Sequence, residues 1–422
     1  MNARKSIAVI LTLAFIVRVS AMLVLHTWIF PTERAFGAEE GEIAYALANG
    51  QGYSWPQTWR PVGPPGARVK HDHPEPTTWK APVNPIITAL AFRLFGSYST
   101  TAAVALESFQ VVLSVLSCYV LFRIGRTLFN EGTGLIAALI FALYPASIHF
   151  SVQKLEYGTL LTFLGLLIVQ QTIGLSRRPG MSGSLALGAL FGIATLVNPV
   201  ILAFFPFALL WLVWTGNAEW KTRLKSAAAI LGCCVAVMMP WLIRNYLVFD
   251  QFVFIRSNFA RELVKSNFPQ DARALAANNA RAADGNDGHV SSLFSKRAFS
   301  LVIEKPAAFL RKTVTRVPRF WTYLGEVTGK ARLAAGAGYY SVLCLGLAGL
   351  WIARGQPQIR LPLVFLLTMP IPFYLTWASR ARFRFPLEPI LALFAAYALA
   401  SMLSRLSPRK SAFYKDLWIQ KA

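Results

Sequence analysis

The amino-acid sequence predicts an all-α polytopic membrane protein with about ten transmembrane helices and interfacial helices in its first outer loop. Of its 422 residues, 55% are hydrophobic and only 14% are charged, which excludes an ordinary soluble protein. The net charge of +23 is carried by short basic clusters between apolar runs rather than by one polar face. We therefore expect the lipid bilayer, and no nucleic acid, as a partner of this chain.

The apolar runs define the predicted spans, because a membrane-crossing helix needs about 20 apolar residues. The run at 7–30 is predicted to be an uncleaved first span, since it is too long for a signal-peptide core and has no small-residue cleavage site. A helix boundary is predicted at Asn198–Pro199, because merging the two runs there would break the alternation of basic clusters. The other candidate spans are 101–123, 132–150, 155–174, 184–197, 199–215, 226–245, 335–353, 361–377 and 385–404.

Basic clusters between the spans predict the orientation of the chain. They fall on alternate sides, which the positive-inside rule makes cytoplasmic together with both termini. Two long stretches, 31–99 and 246–334, are then predicted to lie outside, and we call them the first and second outer segments. The predicted divisions are an N-terminal transmembrane module (1–245), a second outer loop with short helices (246–334) and C-terminal transmembrane helices with a basic tail (335–422).

An acidic stretch opens the first outer segment in a chain that is otherwise poor in acids. Ile43 and Leu47 are one helical turn apart and Asn49–Gly50 is typical of a C-cap, so a short amphipathic helix is predicted. Carboxylates in its first turn could simply offset the positive end of the helix dipole. Glu39 and Glu40 are also candidates for a general base or, with a divalent metal ion, for metal ligands.

Aromatic and basic side chains follow the acidic helix. The passage 55–66 is rich in Pro and Gly and is predicted to contain neither regular helix nor sheet. Lys80 could bind a phosphate, pair with the acids or extend to the membrane interface. Tyr53 and Trp79 could belong to a belt at the headgroup level or line a sugar or prenyl site. A short apolar helix over 86–95 is predicted to lie along the interface.

Two further polar clusters have competing interpretations. The sequence His71–Asp72–His73 could contribute to a metal site, but no second cluster stands at a recognised spacing. Glu156 is predicted to face a cavity, because an acid that faces lipid would be costly. The alternative is a local ion pair with Lys154 at the interface.

Arginines in predicted external positions run against the positive-inside bias. Arg382 and Arg384 lie in a loop in which no acid precedes Glu388, so an anion from elsewhere is expected. Arginine binds phosphate oxygens bidentately, which makes both residues candidates for holding an anionic lipid headgroup. Arg244, Arg256 and Arg261 form a second external group with the same expectation.

Taken in order, these motifs resemble the GT-C membrane glycosyltransferases, in the branch related to protein O-mannosyltransferases and lipid A aminoarabinose transferases. The leading Asp of that family is Glu39 here, which leaves open whether Glu39 or Glu40 is catalytic. Lys80 matches a lysine of the aminoarabinose transferases, although Ala81–Pro82 replaces their double proline. The matching motifs are Glu39–Glu40, Gly50–Tyr53, Pro82–Pro85, Pro240–Asn245 and Arg382–Pro389.

The resemblance implies transfer of a sugar from a polyprenyl-phosphate donor to a lipid, glycan or protein acceptor at the outer face of the membrane, usually with inversion. It implies a place in a bacterial inner membrane with the active site facing the periplasm or exterior. No nucleotide cofactor is expected, since the sequence has no Walker A motif or dinucleotide fingerprint. A transporter or flippase of a lipid-linked anion and an assembly subunit of an envelope complex are the alternative functions.

Overall fold

The computed structural model of the chain describes residues 3–29, 36, 39–56, 60–61, 68–69, 73–152, 156–216, 218–282, 287–324, 329–376 and 380–406. In chain order the helices are α1 (Ala3–Leu25), α2 (Glu39–Ala48), α3 (Val83–Phe95), α4 (Thr100–Leu128), α5 (Glu131–Leu143), α6 (Pro145–Val152), α7 (Gly158–Arg177), α8 (Met181–Val197), α9 (Phe205–Thr215), α10 (Trp220–Phe249), α11 (Asn258–Asn267), α12 (Pro269–Ala282), α13 (Asp287–Glu304), α14 (Pro306–Thr322), α15 (Gly329–Ala353), α16 (Arg360–Thr368), α17 (Ile371–Leu375), α18 (Ala381–Arg384) and α19 (Glu388–Leu406). Short 3₁₀ turns occupy Thr27–Ile29, Pro199–Ala203, Pro357–Ile359 and Phe385–Leu387.

The predicted all-α membrane architecture is confirmed. In the described part of the chain, seven helical stretches are long and apolar enough to cross a membrane, and the bent pair α5–α6 makes an eighth. The shorter apolar helix α8 and the stretch Pro199–Thr215 account for two more of the predicted runs. Every one of the ten predicted runs therefore coincides with a helix or a helix pair, although two of them are short for a span.

The predicted helix boundary at Asn198–Pro199 is also confirmed. Helix α8 ends at Val197, and the Asn198 side chain accepts a hydrogen bond from the Val200 backbone N–H at 3.2 Å. Pro199 then begins a 3₁₀ turn that leads into α9. Asparagine as a cap followed by proline at the first position is a favourable start for a new helical element.

Close helix packing in the bundle depends on small residues. A Cβ on Gly125 of α4 would lie 2.7 Å from the Cα of Gly134 on α5, so the two backbones touch. Helix α19 packs along α15 and α5, and α8 packs along α10. Small residues that let backbones approach are the usual means of joining helices in a bilayer, where the hydrophobic effect gives little drive.

A fully buried arginine links the first span to its neighbours. Arg18 of α1 is 0% exposed, and its Nε donates to Ser114 Oγ on α4 at 2.8 Å. The same guanidinium donates to the carbonyl oxygens of Phe141 and Ala142 at the end of α5, and to Ser147 Oγ on α6. The Arg18 guanidinium therefore stabilises the bend between α5 and α6, because it donates hydrogen bonds to carbonyl groups that have no helical partner there.

The first outer segment contains short β pairs that the sequence did not predict. Ser54–Trp55 (β1) pairs antiparallel with Glu75–Pro76 (β4), and Arg60–Pro61 (β2) with Arg68–Val69 (β3). The expectation of no regular sheet over 55–66 is therefore wrong at these positions. Proline is tolerated there because such two-residue ladders do not need every backbone donor.

The second outer segment contains four helices, α11 to α14. Helices α11 to α14 share a small apolar core around Val264, Phe268, Phe294 and Leu301. Asp287, the first residue of α13, accepts hydrogen bonds from the hydroxyl of Thr77 and the backbone N–H of Thr78 in the first outer segment. These bonds join two segments that are far apart in sequence, and so bring the two outer segments together over the same end of the bundle.

Candidate active site

The acidic helix α2 is rigidly positioned by its neighbours. It begins at Glu39, has the acids in its first turn as predicted, and ends in a Schellman motif, in which the N–H groups of Gly50 and Gln51 donate to the carbonyls of Leu47 and Ala46. Gly50 has φ +76°, a conformation that glycine adopts without strain. The buried face of α2 packs on α3 through Ala44. The first turn of α2, which carries the acids, is thereby fixed relative to the start of α3.

Lys80 forms the centre of the charged site. Its Nζ lies 2.8 Å from Glu39 Oε2 and 3.8 Å from Glu40 Oε1. The loop that carries Lys80 is held in place by Tyr53, whose buried hydroxyl donates to the Lys80 carbonyl oxygen at 3.0 Å. Trp79 lies beside Glu39 and its ring packs near that of Trp55. The sequence prediction that Lys80 could pair with the acids is thus realised.

The two neighbouring carboxyl groups have different proton affinities. Burial raises the pKa of Glu40 above its usual value, and the nearby Glu156 carboxylate adds to this, while Lys80 opposes it only in part. Burial also raises the pKa of Glu39, but the Lys80 ammonium and its hydrogen bond outweigh this effect and hold the pKa of Glu39 below its usual value. The Glu39 side chain is 38% exposed and that of Glu40 only 7%. Glu40 is therefore the better proton acceptor of the pair.

Lys80 remains a cation in this setting. Burial lowers its pKa, but the carboxylates of Glu39 and Glu40 more than compensate, so the net pKa of Lys80 is raised. Its side chain is still 20% exposed, and an incoming anion could therefore reach it.

A second charged pair borders this cluster. Arg382 of α18 binds both carboxylate oxygens of Glu156 through Nη1, at 2.8 and 3.0 Å. Both residues line a small cleft with Phe150, Tyr157 and Thr159. The predicted cavity position of Glu156 is consistent with this cleft, and its alternative partner Lys154 lies outside the described residues.

Arg382 has an unused donor. Its Nε is buried and has no hydrogen-bond partner in the described part of the chain, although a third of its side chain is exposed. Buried guanidinium donors are normally satisfied, so this atom marks a place where a ligand acceptor would be stabilised.

Asn84 and Arg256 also lie near the acids; from the sequence, Asn84 was noted only as part of the Pro82–Pro85 motif and Arg256 only as one of three external arginines. Asn84 Nδ2 lies 3.5 Å from Glu40 Oε2, and the positive charge of Arg256 lowers the pKa of both Glu39 and Glu40. Arg256 follows Ile255, whose φ of +32° is rare for a β-branched residue. The position of Asn84 within the Pro82–Pro85 motif could have identified it as a site residue. Nothing in the local sequence distinguishes Arg256 from Arg244 and Arg261.

Arg384 has different surroundings from Arg382. Its Nε donates to Glu388 Oε1 at 2.8 Å, and Nη1 donates to the carbonyl oxygens of Phe320 and Tyr323. Both members of this ion pair are almost fully buried. The expected external anion for Arg384 is replaced by Glu388, one helical turn further along the chain.

Arg244 is likewise engaged within the protein. Its Nη atoms donate to the carbonyl oxygens of Thr77 and Tyr53, at 3.0 and 2.8 Å. The guanidinium is also packed over the rings of Tyr53, Trp241 and Phe249. These contacts connect the first outer segment to α10. Arg244 therefore stabilises the segment that carries Tyr53 and Lys80.

The carboxylates do not match the ligand set of a divalent metal ion. No group of three or more His, Cys, Asp and Glu side chains that could hold a metal occurs among the described residues. The Lys80 ammonium lies next to both Glu39 and Glu40, and it supplies the positive charge that a metal would. His71 and Asp72 of the other predicted metal cluster lie outside the described residues.

Comparison with known proteins adds to these observations. The family model for dolichyl-phosphate-mannose-protein mannosyltransferases matches residues 72–243, which is less than half of the chain. No curated protein matches the sequence. The match covers Lys80, the Pro82–Pro85 motif and Glu156.

Solved structures match nearly the whole chain. The oligosaccharyltransferase AglB from Archaeoglobus fulgidus, in complex with an inhibitory peptide and a dolichol-phosphate, has a TM-score of 0.58 and 16% identity. It covers 99% of this chain, which spans 52% of AglB. The same oligosaccharyltransferase in complex with Zn and sulfate has a TM-score of 0.56 and 16% identity over 97% of this chain and 51% of that one.

ArnT from Cupriavidus metallidurans bound to undecaprenyl phosphate matches with a TM-score of 0.38 and 13% identity, over 94% of this chain and 80% of ArnT. The AglB matches extend over nearly the whole chain, and the family model matches residues 72–243 within it. The resemblance read from the sequence is therefore confirmed at the level of the fold: the chain is a membrane protein with the architecture of the GT-C glycosyltransferases.

Proposed function

We propose that this protein transfers a sugar from a polyprenyl-phosphate donor to a lipid, glycan or protein acceptor at the outer face of a bacterial inner membrane. One observation supports this most strongly. Charged side chains from α2, the Lys80 loop, the start of α7 and α18 converge on one cluster, and that cluster contains a carboxyl with raised pKa beside cations. Perturbed carboxyls and convergent cations are the features expected of an acid–base and anion-binding site.

The donor phosphate has two complementary cations in this cluster. Lys80 is partly exposed, and Arg382 has a buried Nε without a partner in the described chain. Arg256 adds positive charge on the same side. A phosphate that accepts hydrogen bonds from these groups would be stabilised further as it gains charge on leaving. The polyprenyl tail would remain in the bilayer, so no soluble carrier is required.

Glu40 is the proposed general base. Its carboxylate takes the proton from the acceptor hydroxyl or amine as that atom forms a bond to the anomeric carbon of the sugar. The bond from the anomeric carbon to the phosphate oxygen breaks, and the lipid phosphate leaves with the electron pair. Attack from the side opposite the phosphate inverts the anomeric centre.

Glu39 is assigned a different part in this scheme. Its lowered pKa and its 2.8 Å contact with Lys80 make it a poor base but a good anchor for the ammonium. It is therefore a positioning residue for Lys80. This division answers, as a proposal, the question that the family motif leaves open.

Purified protein in vesicles, supplied with a radiolabelled polyprenyl-phosphate sugar and a bacterial envelope extract, tests the proposal. The expected result is a covalent labelled product that the wild-type protein forms and the Glu40→Gln variant does not. Movement of the labelled lipid across the vesicle without any covalent product would instead indicate transport.

A further inference from the structure

A buried side-chain amide oxygen on α4, Oε1 of Gln110, has no hydrogen-bond partner in the described chain. Glu107, Gln110 and Ser114 lie on one face of this membrane-spanning helix, and all are buried. Glu107 accepts a hydrogen bond from Thr27, and Ser114 accepts one from Arg18. Gln110 Oε1 accepts none from the described residues. A buried polar atom of this kind is a reason to look for a missing partner.

Gln110 lines an open groove between α3, α4 and α7. Its apolar walls include Leu106 and Phe109, and the Phe109 ring is 40% exposed at the surface of the bundle. Because Phe109 lies on a membrane-spanning helix, this side of the groove faces the bilayer. The remaining lining residues are Asn84, Ile87, Thr88, Glu156 and Leu160.

The groove borders the charged cluster. Asn84 lines it and lies 3.5 Å from Glu40. Glu156 lines both this groove and the cleft that contains Arg382. A molecule in the groove and an anion beside Arg382 would therefore meet at Glu156, whose carboxylate is close enough to Glu40 to raise its pKa.

We infer that this groove admits the acceptor and that the acceptor is a lipid with a hydroxyl or amine headgroup; this rests on the proposed function. The described lining contains no Lys or Arg, so it suits a phosphate poorly. Carbonyl and carboxylate oxygens at Gln110, Asn84 and Glu156 instead suit a headgroup that donates hydrogen bonds. The apolar walls and the lateral opening suit an acyl or prenyl chain that enters from the bilayer.

Photolabelling tests the inference directly. The probe is a diacylglycerol with a free hydroxyl and a diazirine on one acyl chain, and its O-acetylated form is the control probe. In vesicles, we expect labelling of peptides that contain Leu106 and Phe109. Gln110→Leu should reduce labelling by the hydroxyl probe about fivefold, as expected for the loss of one hydrogen bond, and should leave labelling by the acetylated probe unchanged.

Two tryptophan variants probe the space itself. Leu106→Trp fills the groove and should abolish labelling there, whereas Val112→Trp, at an exposed position elsewhere on α4, should not change it. Thermal unfolding in detergent confirms that each variant is folded. Equal labelling in wild type and Gln110→Leu would overturn the inference.

Binding of undecaprenyl phosphate, followed by tryptophan fluorescence, separates the acceptor inference from the proposed function. It should change less than about twofold in Gln110→Leu, because no contact with the phosphate is lost. Loss of this binding together with the labelling would assign the groove to the donor tail and overturn the inference. If the wild type binds no undecaprenyl phosphate while labelling still depends on Gln110, the groove assignment holds and the proposed donor is wrong.

Discussion

Two arginines that are separated by one residue show how differently this protein uses the same side chain. The side chains of Arg384 and Glu388 are 3% and 2% exposed. Nη1 of Arg384 also donates to two backbone carbonyl oxygens of the second outer segment. Arg382 binds Glu156 at the edge of a cleft and keeps a buried donor without a partner in the described chain. The Arg384–Glu388 pair is closed to solvent, whereas the Arg382–Glu156 pair is partly exposed at a cleft and is available to a ligand.

Removing the fully buried arginine should have the largest effect. Arg384→Met leaves the Glu388 carboxylate buried without a cation, and we expect a loss of about 3–5 kcal/mol in the free energy of unfolding. Arg382→Met, at a pair that is a third exposed, should cost less than about 1 kcal/mol. Unfolding in detergent measures both values. Equal destabilisation by the two variants would contradict the distinction.

Changing the proposed base should reduce turnover without unfolding the protein. Glu40→Gln keeps the shape of the side chain but cannot accept a proton, so kcat should fall by about 10²-fold or more. Glu39→Gln is the matched control and should affect the pH dependence and donor KM more than kcat. Labelled product formation measures both. Should Glu39→Gln show the larger fall in kcat, the two assignments would have to be exchanged.

A conservative change sharpens the assignment of Arg382. Arg382→Lys keeps the charge but loses the planar set of donors, so we expect the donor KM to rise about tenfold. Arg311→Lys, at an exposed position on α14, serves as the control and should leave KM unchanged. An unchanged donor KM in Arg382→Lys would mean that the arginine provides charge alone or no contact.

The pH dependence of kcat/KM should report the pKa of Glu40. The carboxylate form is the base, so activity is lost as the pH falls through that pKa, which burial has raised. Lys80 lowers the pKa of Glu40, and Lys80→Gln should therefore move the acidic limb to higher pH. If the acidic limb of the pH profile of kcat/KM does not move in Lys80→Gln, Glu40 does not control that profile.

The smallest effect is expected from removal of divalent metal ions. Lys80 already supplies the positive charge beside Glu39 and Glu40, so product formation in EDTA should equal that in untreated vesicles. A loss of activity that Mg²⁺ or Mn²⁺ restores would instead assign a metal to the cluster.

Local patterns predicted the parts of the site that are continuous in sequence. The acidic helix, its cap at Gly50 and the break at Pro199 follow from residue types within one or two turns. The pair Glu156–Arg382 could not be predicted, because its members are 226 positions apart and are joined only by helix packing. Arg244 was assigned to phosphate for the same reason: its partners Tyr53 and Thr77 lie in another segment.

The buried Arg18 has a consequence for how the protein is made. The first span carries a cation whose hydrogen-bond partners on α4 and α5 lie 96 to 124 positions later in the chain. During synthesis, α1 must therefore hold this charge in or near the bilayer before any of those partners exist, at a cost of about 2.5–3.5 kcal/mol if the arginine sits at the centre of the membrane. Arrival of α4 and α5 removes that cost, so the first span becomes more stable in the bilayer as the bundle assembles around it.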